Sequence, residues 1–140
     1  PGSTVKIMTC LLALENTQLT DEVTMTATGV SGVTDGGASI SSQVDEVFTV
    51  EQCLYAIMVA SANDIALQIA EHVGGSVDGF VQQMNTRAQE LGCTNTVFTN
   101  PTGLPDDNQH TTAHDMALIM QAAIQNESFS SHQLHDPCHQ

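Results

Sequence analysis

Basic side chains are almost absent from this sequence. Its 140 residues contain 16 Asp and Glu but only 2 Lys and Arg, so the formal net charge is −14. The two basic residues are Lys6 and Arg87. Nucleic acids and anionic membranes are bound largely by clusters of basic side chains. The composition therefore predicts that neither is a partner of this chain.

Aromatic residues and long apolar runs are also scarce. Aromatic residues make up 4% of the chain against 41% hydrophobic residues, so the core of a single domain must be built from aliphatic side chains and Met. No apolar run approaches the ~20 residues that cross a membrane, and no secretion signal is visible. The chain begins at Pro1, however, and a signal that had been removed would leave no trace in it.

The four cysteines show no Cys-x-x-Cys spacing of the kind found in redox and zinc sites. Cys10, Cys53 and Cys93 fall on apolar helical positions, that is, positions that continue the helical spacing of apolar residues, where a free cysteine behaves as a small hydrophobic residue. Buried thiols are therefore expected rather than disulfides. Residues 132–139 are rich in His and include a Cys, but their spacing matches no standard zinc pattern and Pro137 interrupts any helix that would align them. We predict no metal site.

Apolar residues recur at helical spacing in five segments. The predicted helices span residues 4–15, 49–60, 64–73, 76–91 and 112–124. The expected N-caps are Thr49, Ser76 and either Thr111 or Thr112. Residues 23–26 and 94–98 are rich in β-forming residues and predict short strands. Residues 29–45 form a Gly-, Ser- and Thr-rich loop that is long enough to border a functional site. The helical pattern fails beyond residue 129, so we expect a domain over residues 1–129 and an irregular tail over residues 130–140.

Ser3 and Lys6 lie three residues apart at the start of the first predicted helix. At this spacing two side chains share one face of a helix, so the hydroxyl and the amine can meet. A serine is a poor nucleophile at neutral pH, and a neutral amine beside it can take up its proton. Burial and the positive end of the helix dipole would both favour the neutral form of Lys6. The pair is a candidate nucleophile and base. The alternative is that Ser3 is only a helix N-cap.

A second polar group, formed by Ser61 and Asn63, interrupts two apolar helices. Polar side chains at such a junction are costly unless they are hydrogen-bonded or face a cleft. In the same cleft as Lys6, a second hydroxyl can relay a proton to a leaving amine, and a carboxamide can orient the substrate and bind Lys6. The alternative is a simple helix break in which Ser61 caps the following helix.

These motifs together resemble the serine D-alanyl-D-alanine carboxypeptidases, the low-molecular-weight penicillin-binding proteins of the β-lactamase and transpeptidase superfamily. The matching stretches are residues 1–9 (PGSTVKIMT), 61–64 (SAND) and 100–104 (NPTGL), with further likeness at residues 11–15 (LLALE) and 112–118 (TAHDMAL). Their order along the chain also matches, and the resemblance covers residues 1–129.

The resemblance implies an acyl-enzyme mechanism that uses no metal or organic cofactor. Ser3 would attack the carbonyl between the two D-alanines of a peptidoglycan stem peptide, and Lys6 would take its proton. Ser61 and Asn63 would pass the proton to the leaving D-alanine and position the peptide. β-Lactam antibiotics would acylate Ser3 and leave slowly. The protein would act outside the cytoplasm, in the cell envelope.

The resemblance also implies a β-lactamase/DD-peptidase-like α/β (α+β) fold, of which this chain holds mainly the helical part. Most of the central antiparallel sheet is missing, and so is the Lys-Thr-Gly motif that one of its strands carries, because Lys6 is the only lysine. Helices that pack on that sheet would expose apolar faces, so self-association is expected. Thr102 and Gly103 would lie near the floor of the cleft, and they are weaker candidates for substrate contact than the four catalytic residues are for catalysis.

Two other functions compete with a carboxypeptidase. A truncated, non-catalytic relative would at most bind peptidoglycan, and the absent Lys-Thr-Gly motif favours it. A class A-like β-lactamase would need a carboxylate that activates the deacylating water, and residues 95–108 contain no Glu. An acidic helical interaction module without a site would leave the coincidence of the Ser-x-x-Lys and Ser-x-Asn motifs unexplained.

Overall fold

The computed structural model describes residues 2–32 and 38–126, without the side chain of Ser3. The main helices are α1 (Gly2–Asn16), α3 (Val50–Ala60), α4 (Asn63–Gly74), α5 (Val77–Glu90) and α6 (Ala113–Gln125). A short helix, α2 (Ala27–Val30), and two strands, β1 (Glu22–Thr24) and β2 (Val47–Thr49), complete the described elements. All five predicted helices are confirmed, with bounds that differ by a few residues.

The helix boundaries follow local capping chemistry. Thr49 and Gln52 form a capping box at the start of α3, in which the Thr49 hydroxyl accepts from the Gln52 N–H and the Gln52 side chain accepts from the Thr49 N–H. Ser76 caps α5 and Thr112 caps α6 through their hydroxyl oxygens. α4 ends at Gly75 in the left-handed region, with φ of 80°. These caps confirm the predicted starts of three helices.

The strands agree less well with the sequence pattern. β1 overlaps the predicted strand at residues 23–26 and pairs antiparallel with β2, with Val23 opposite Phe48. β2 was not predicted, because it is only three residues long and its last residue, Thr49, is also the N-cap of α3. The predicted strand at residues 94–98 is wrong: it contributes only an isolated bridge between Val97 and His110. The Asn95 N–H and the Thr96 hydroxyl donate to the Asp115 carboxylate, so this segment is held by a side chain and not by pairing with a strand.

Helix α1 lies at the centre of the described residues and packs against α3, α4, α5 and α6. Val5, Met8 and Leu11 are fully buried, and α1 contributes side chains to both apolar clusters of the core. One cluster includes Phe80 and Met84 of α5, and the other includes residues of α3, α4 and β1. Because its apolar sides are enclosed, α1 holds its polar side chains in fixed directions.

Three cysteines agree with the expectation of buried thiols. Cys10, Cys53 and Cys93 are buried and free. Cys93 does not lie on a helix as predicted, because α5 ends at Glu90 and a turn at Gly92 precedes it. Cys138 and the tail at residues 130–140 lie outside the described residues.

Part of the surface is apolar. On α6, Met116, Met120 and Ile124 are 36%, 38% and 58% exposed and follow one another at helical spacing. This agrees with the expected exposed apolar face, while self-association itself stays a prediction. Of the helices in residues 2–32 and 38–126, none is long and apolar enough to cross a membrane.

Candidate active site

The candidate nucleophile and base lie on the first two turns of α1. α1 begins at Gly2, so Ser3 lies inside the helix and the alternative that it is the N-cap is wrong. The Ser3 side chain lies outside the described part. Lys6 follows one turn later, is partly buried, and donates a hydrogen bond from its amine to the main-chain carbonyl of Thr102. This bond joins the predicted Ser-x-x-Lys motif to the predicted loop near residue 102.

The surroundings of Lys6 favour its neutral form. Burial lowers the pKa of the Lys6 amine from its usual value, because a charged ammonium loses hydration there. Cys10 lies one turn further along α1, and its negatively charged thiolate form would raise the Lys6 pKa. Burial raises the pKa of the Cys10 thiol to about 12, so this group is uncharged at neutral pH and does not cancel the effect.

The loop of residues 100–104 is attached to the same face of α1. The buried Thr9 hydroxyl donates to the carbonyl of Pro101 at 2.8 Å. Gly103 has φ of 84° and lies so close to α1 that a Cβ on it would stand 2.7 Å from Gly2 Cα and Gly2 O. Gly2, Lys6 and Thr9 therefore form one contact surface for this loop.

Thr102 and Gly103 take part in the site in a way that the sequence did not indicate. Thr102 is 2% exposed, and its hydroxyl bonds to Asn100 Oδ1 at 3.2 Å while accepting from the Leu104 N–H at 3.2 Å. Its side chain is thus engaged within the loop, and the carbonyl is the group that reaches Lys6. The main-chain contact left no signal in the residue types. Substrate contact by Thr102 and Gly103 stays a prediction.

Ser61 and Asn63 lie at the junction of α3 and α4, as predicted. Ser61 ends α3 in the left-handed region, with φ of 52° and ψ of 38°. The N-cap of α4 is Ala62, with no side-chain cap, so the alternative that Ser61 caps α4 is wrong. A left-handed conformation is unfavourable for a residue with a Cβ and is concentrated at functional sites. Ser61 is exposed at this corner.

Asn63 begins α4 and is 3% exposed. Its Oδ1 is buried and has no hydrogen-bond partner among the described residues. Burying a carbonyl oxygen without a hydrogen bond costs about 1–3 kcal/mol, so we expect a hydrogen-bond donor for Asn63 Oδ1 beyond those that the described residues supply. The Asn63 N–H is satisfied, because it donates to the Ala38 carbonyl at 2.8 Å.

Asp64 is a further residue of this junction that sequence reasoning did not single out. It is 1% exposed, and its carboxylate accepts hydrogen bonds from the Ser42 hydroxyl at 2.6 Å and from the N–H groups of Ser42 and Ile40. Burial alone would raise the pKa of Asp64, but these hydrogen bonds outweigh it and hold the pKa below its usual value. The predicted loop at residues 29–45 is wrong at its start, because residues 29–30 belong to α2, and its described later part is anchored beside Asn63 through Ile40 and Ser42.

Within residues 2–32 and 38–126, no three His, Cys, Asp or Glu side chains are grouped so that they could hold a metal ion. The His- and Cys-containing segment at residues 132–139 lies outside the described residues.

Comparison with known proteins agrees with the motifs. A family model described as D-alanyl-D-alanine carboxypeptidase, peptidase S11, matches residues 1–137. The D-alanyl-D-alanine carboxypeptidase DacF of Bacillus subtilis is 37% identical over 135 residues, which cover 93% of this chain and 34% of DacF.

Two solved structures show the same fold. The D-alanyl-D-alanine carboxypeptidase DacD of Francisella tularensis aligns with a TM-score of 0.83 and 33% identity, over 90% of this chain and 31% of that protein. The Streptomyces K15 DD-transpeptidase aligns with a TM-score of 0.80 and 30% identity, over 91% of this chain and 52% of that protein. The chain thus spans about a third to about a half of the length of these relatives, and in its described part it is mostly helical with a two-stranded sheet. It belongs to the D-alanyl-D-alanine carboxypeptidase family, peptidase S11.

Proposed function

We propose that this chain carries the acylation site of a serine-type D-Ala-D-Ala carboxypeptidase. Ser3 attacks the carbonyl that joins the two terminal D-alanines of a peptidoglycan stem peptide, and Lys6 accepts the Ser3 proton. The peptide bond then breaks, D-alanine leaves, and water hydrolyses the ester on Ser3. The observation that carries the proposal is the position of Lys6, one turn after Ser3 in α1, with a partly buried amine whose pKa is lowered.

Ser61 and Asn63 are proposed to pass the proton to the leaving D-alanine and to position the peptide. The exposed hydroxyl of Ser61, at a strained corner between α3 and α4, is suited to relay the proton to the departing amine. The unpaired Oδ1 of Asn63 is suited to accept from the Lys6 amine or from a substrate amide. Thr102 supports the base through its carbonyl, and Gly103 keeps the loop against α1.

Several properties follow from this proposal. β-Lactam antibiotics are expected to acylate Ser3, because they present a strained amide to the same nucleophile. The substrate lies in the cell wall, so the protein would act in the cell envelope. A β-lactamase is a weaker alternative, because residues 95–108 contain no Glu that would activate the deacylating water.

A second candidate function has one observation in its favour. The 140 residues contain a single lysine, Lys6, so the Lys-Thr-Gly motif of relatives is not among them. A chain without that motif is expected to acylate slowly, and a non-catalytic relative would not acylate at all. Peptidoglycan binding without turnover is then the remaining activity.

Release of D-alanine tests the two candidates. The chain is incubated with a peptide ending in D-Ala-D-Ala and with the same peptide ending in D-Ala-L-Ala. We expect release of the C-terminal alanine from the first peptide only. Ser3→Ala and Lys6→Ala should lose this activity, and Ser31→Ala, which changes an exposed serine at the end of α2, should keep it. Peptide binding without release in the folded chain would favour the non-catalytic relative.

A further inference from the structure

The side chain of Asn100 organises the loop that holds Lys6. Its Oδ1 accepts from the Thr102 N–H at 3.3 Å, from the Thr102 hydroxyl at 3.2 Å and from the Gly103 N–H at 2.9 Å. Its Nδ2 donates to the Leu104 carbonyl at 3.0 Å. One carboxamide therefore binds both sides of the turn, in the manner of an Asx-turn extended by one residue.

Gln109 supports Asn100 from behind. Gln109 is 8% exposed, and its Oε1 accepts from the N–H groups of Thr99 at 2.9 Å and Asn100 at 3.2 Å. Its Nε2 lies 3.4 Å from Asn100 Oδ1. The start of the loop is thus fixed by the buried carboxamide of Gln109 and its turn by the partly buried carboxamide of Asn100, and the two together determine the direction of the Thr102 carbonyl.

The direction of the Thr102 carbonyl matters for the Lys6 amine, which donates to it. A neutral amine has two N–H bonds and one lone pair, so a hydrogen bond from one N–H to a fixed carbonyl restricts where the lone pair points. The Thr102 carbonyl is such an acceptor. The loop has two other attachments to α1, the Thr9 bond to Pro101 and the packing of Gly103 on Gly2. The N–H of the Thr102–Gly103 peptide, whose carbonyl accepts from Lys6, donates to Asn100 Oδ1 at 2.9 Å.

We propose that Asn100 is a positioning residue for the base: its carboxamide sets the Thr102 carbonyl, and through it the orientation of the Lys6 amine. The inference rests on the proposed role of Lys6, since an orientation of the amine has chemical consequences only if the amine takes up a proton. Asn100 acts through Thr102: its side-chain hydrogen bonds are to residues 102–104 and Gln109, and Lys6 is not among these partners.

Few titratable groups compete for control of Lys6. On α1 the neighbouring group is the Cys10 thiol, and Cys53 of α3 lies beside Cys10; burial raises the pKa of each thiol to about 12, which leaves both uncharged at neutral pH. On α4 the Asp64 carboxylate is engaged by Ser42. On α6 the Asp115 carboxylate binds Thr96 and Asn95. No charged group in the described surroundings therefore competes with the observed bond to the loop, and the Asn63 Oδ1 proposed above as a further acceptor is uncharged.

The single lysine allows a direct test. Chain grown with 13C- and 15N-labelled lysine gives one lysine side-chain signal, whose titration by NMR reports the Lys6 pKa without any need for activity. In parallel, the rate at which a fluorescent penicillin acylates the chain is measured against pH. The variants are Asn100→Ala and Asn100→Asp. The matched control is Asn85→Ala, because Asn85 also binds a main chain on both sides, donating to and accepting from Phe98.

For Asn100→Ala we expect the loop to move away from α1, so that Lys6 is less buried and its pKa moves towards its usual value, since burial is the main cause of the lowered pKa. Acylation should slow by roughly tenfold to a hundredfold, since a displacement near 1 Å has effects of that size. For Asn100→Asp, whose carboxylate keeps the acceptor but adds a charge, we expect a raised Lys6 pKa and an acylation profile shifted to higher pH. Asn85→Ala should lower stability and leave both readouts unchanged.

The outcomes separate the two proposals. A folded wild-type chain whose lysine titrates at its usual value, or which forms no adduct, contradicts the proposed function of Lys6. A wild-type chain with a low lysine pKa and a penicillin adduct, together with Asn100 variants that behave like Asn85→Ala, overturns the positioning role alone. If Asn100→Ala does not fold, Asn100→Asp decides, and an unchanged Lys6 titration in it also overturns the inference.

Discussion

Replacing Gly103 by Ala tests whether the 100–104 loop must lie directly on the start of α1. Gly103 has φ of 84°, and a Cβ there would stand 2.7 Å from Gly2 Cα and Gly2 O. Gly75 has nearly the same φ, 80°, but nothing lies within 4 Å of an added Cβ there. Gly75→Ala is therefore a control that carries the backbone strain without the collision.

The two substitutions should differ by the cost of the collision. The left-handed conformation costs a residue with a Cβ about 1–2 kcal/mol, and this is the whole effect expected for Gly75→Ala. At Gly103 the contact is with backbone atoms, which cannot rotate away, and overpacking of this kind adds about 1–3 kcal/mol. We therefore expect Gly103→Ala to lower the free energy of unfolding by about 2–5 kcal/mol.

Urea unfolding followed by circular dichroism measures both changes, and penicillin acylation provides the functional readout. Gly2 adjoins Ser3, so the collision should also slow acylation in Gly103→Ala, while Gly75→Ala should acylate at the wild-type rate. Equal losses of stability in the two variants, or equal acylation rates, would show that the loop does not press on α1 and would refute the described site geometry.

Three further predictions concern the packing around the site. Thr9→Val keeps the shape of the side chain but leaves the Pro101 carbonyl without its buried donor, so urea unfolding should show a loss of about 1–3 kcal/mol; a neutral change would mean that water replaces Thr9 there. Phe80→Ala should cost about 3–5 kcal/mol because Phe80 is fully buried, and the partly exposed Phe48→Ala should cost clearly less. Asp64 has a pKa held below its usual value, so its stabilising contribution is present above the unfolded pKa of about 4 and is lost as the pH falls through the folded value. Asp64→Asn should therefore flatten the dependence of stability on pH in acid, and an unchanged acid slope would contradict the role assigned to Asp64.

The helices were predictable because their signals are local. Each of three helices begins with a side chain that accepts from a backbone N–H of its own first turn, at Thr49, Ser76 and Thr112. Apolar residues at helical spacing then predict the rest of each helix. Such signals need no knowledge of the rest of the fold. The Ser-x-x-Lys and Ser-x-Asn motifs were found in the same way, since their spacing is fixed by one helix and one helix junction.

The parts that were missed depend on distant partners. Residues 94–98 have β-forming side chains, but the Thr96 hydroxyl binds Asp115, 19 residues away. In the described part of the chain only the single bridge from Val97 to His110 pairs with this segment. The hydrogen bond from Ser42 to Asp64 joins residues that are 22 positions apart in the sequence. The bond from Lys6 to the Thr102 carbonyl joins residues that are 96 positions apart. Because a carbonyl carries no residue-type signal, the sequence predicted the loop near Lys6 only through family resemblance.

The most direct test of the central claim is the intact mass of the folded chain after incubation with benzylpenicillin. We predict one benzylpenicilloyl group per chain, located on Ser3 by peptide mapping and absent from Ser3→Ala, with Ser31→Ala labelled like the wild type. An unmodified mass in a chain whose circular dichroism shows the helices in place would contradict the claim that Ser3 and Lys6 form an acylation site.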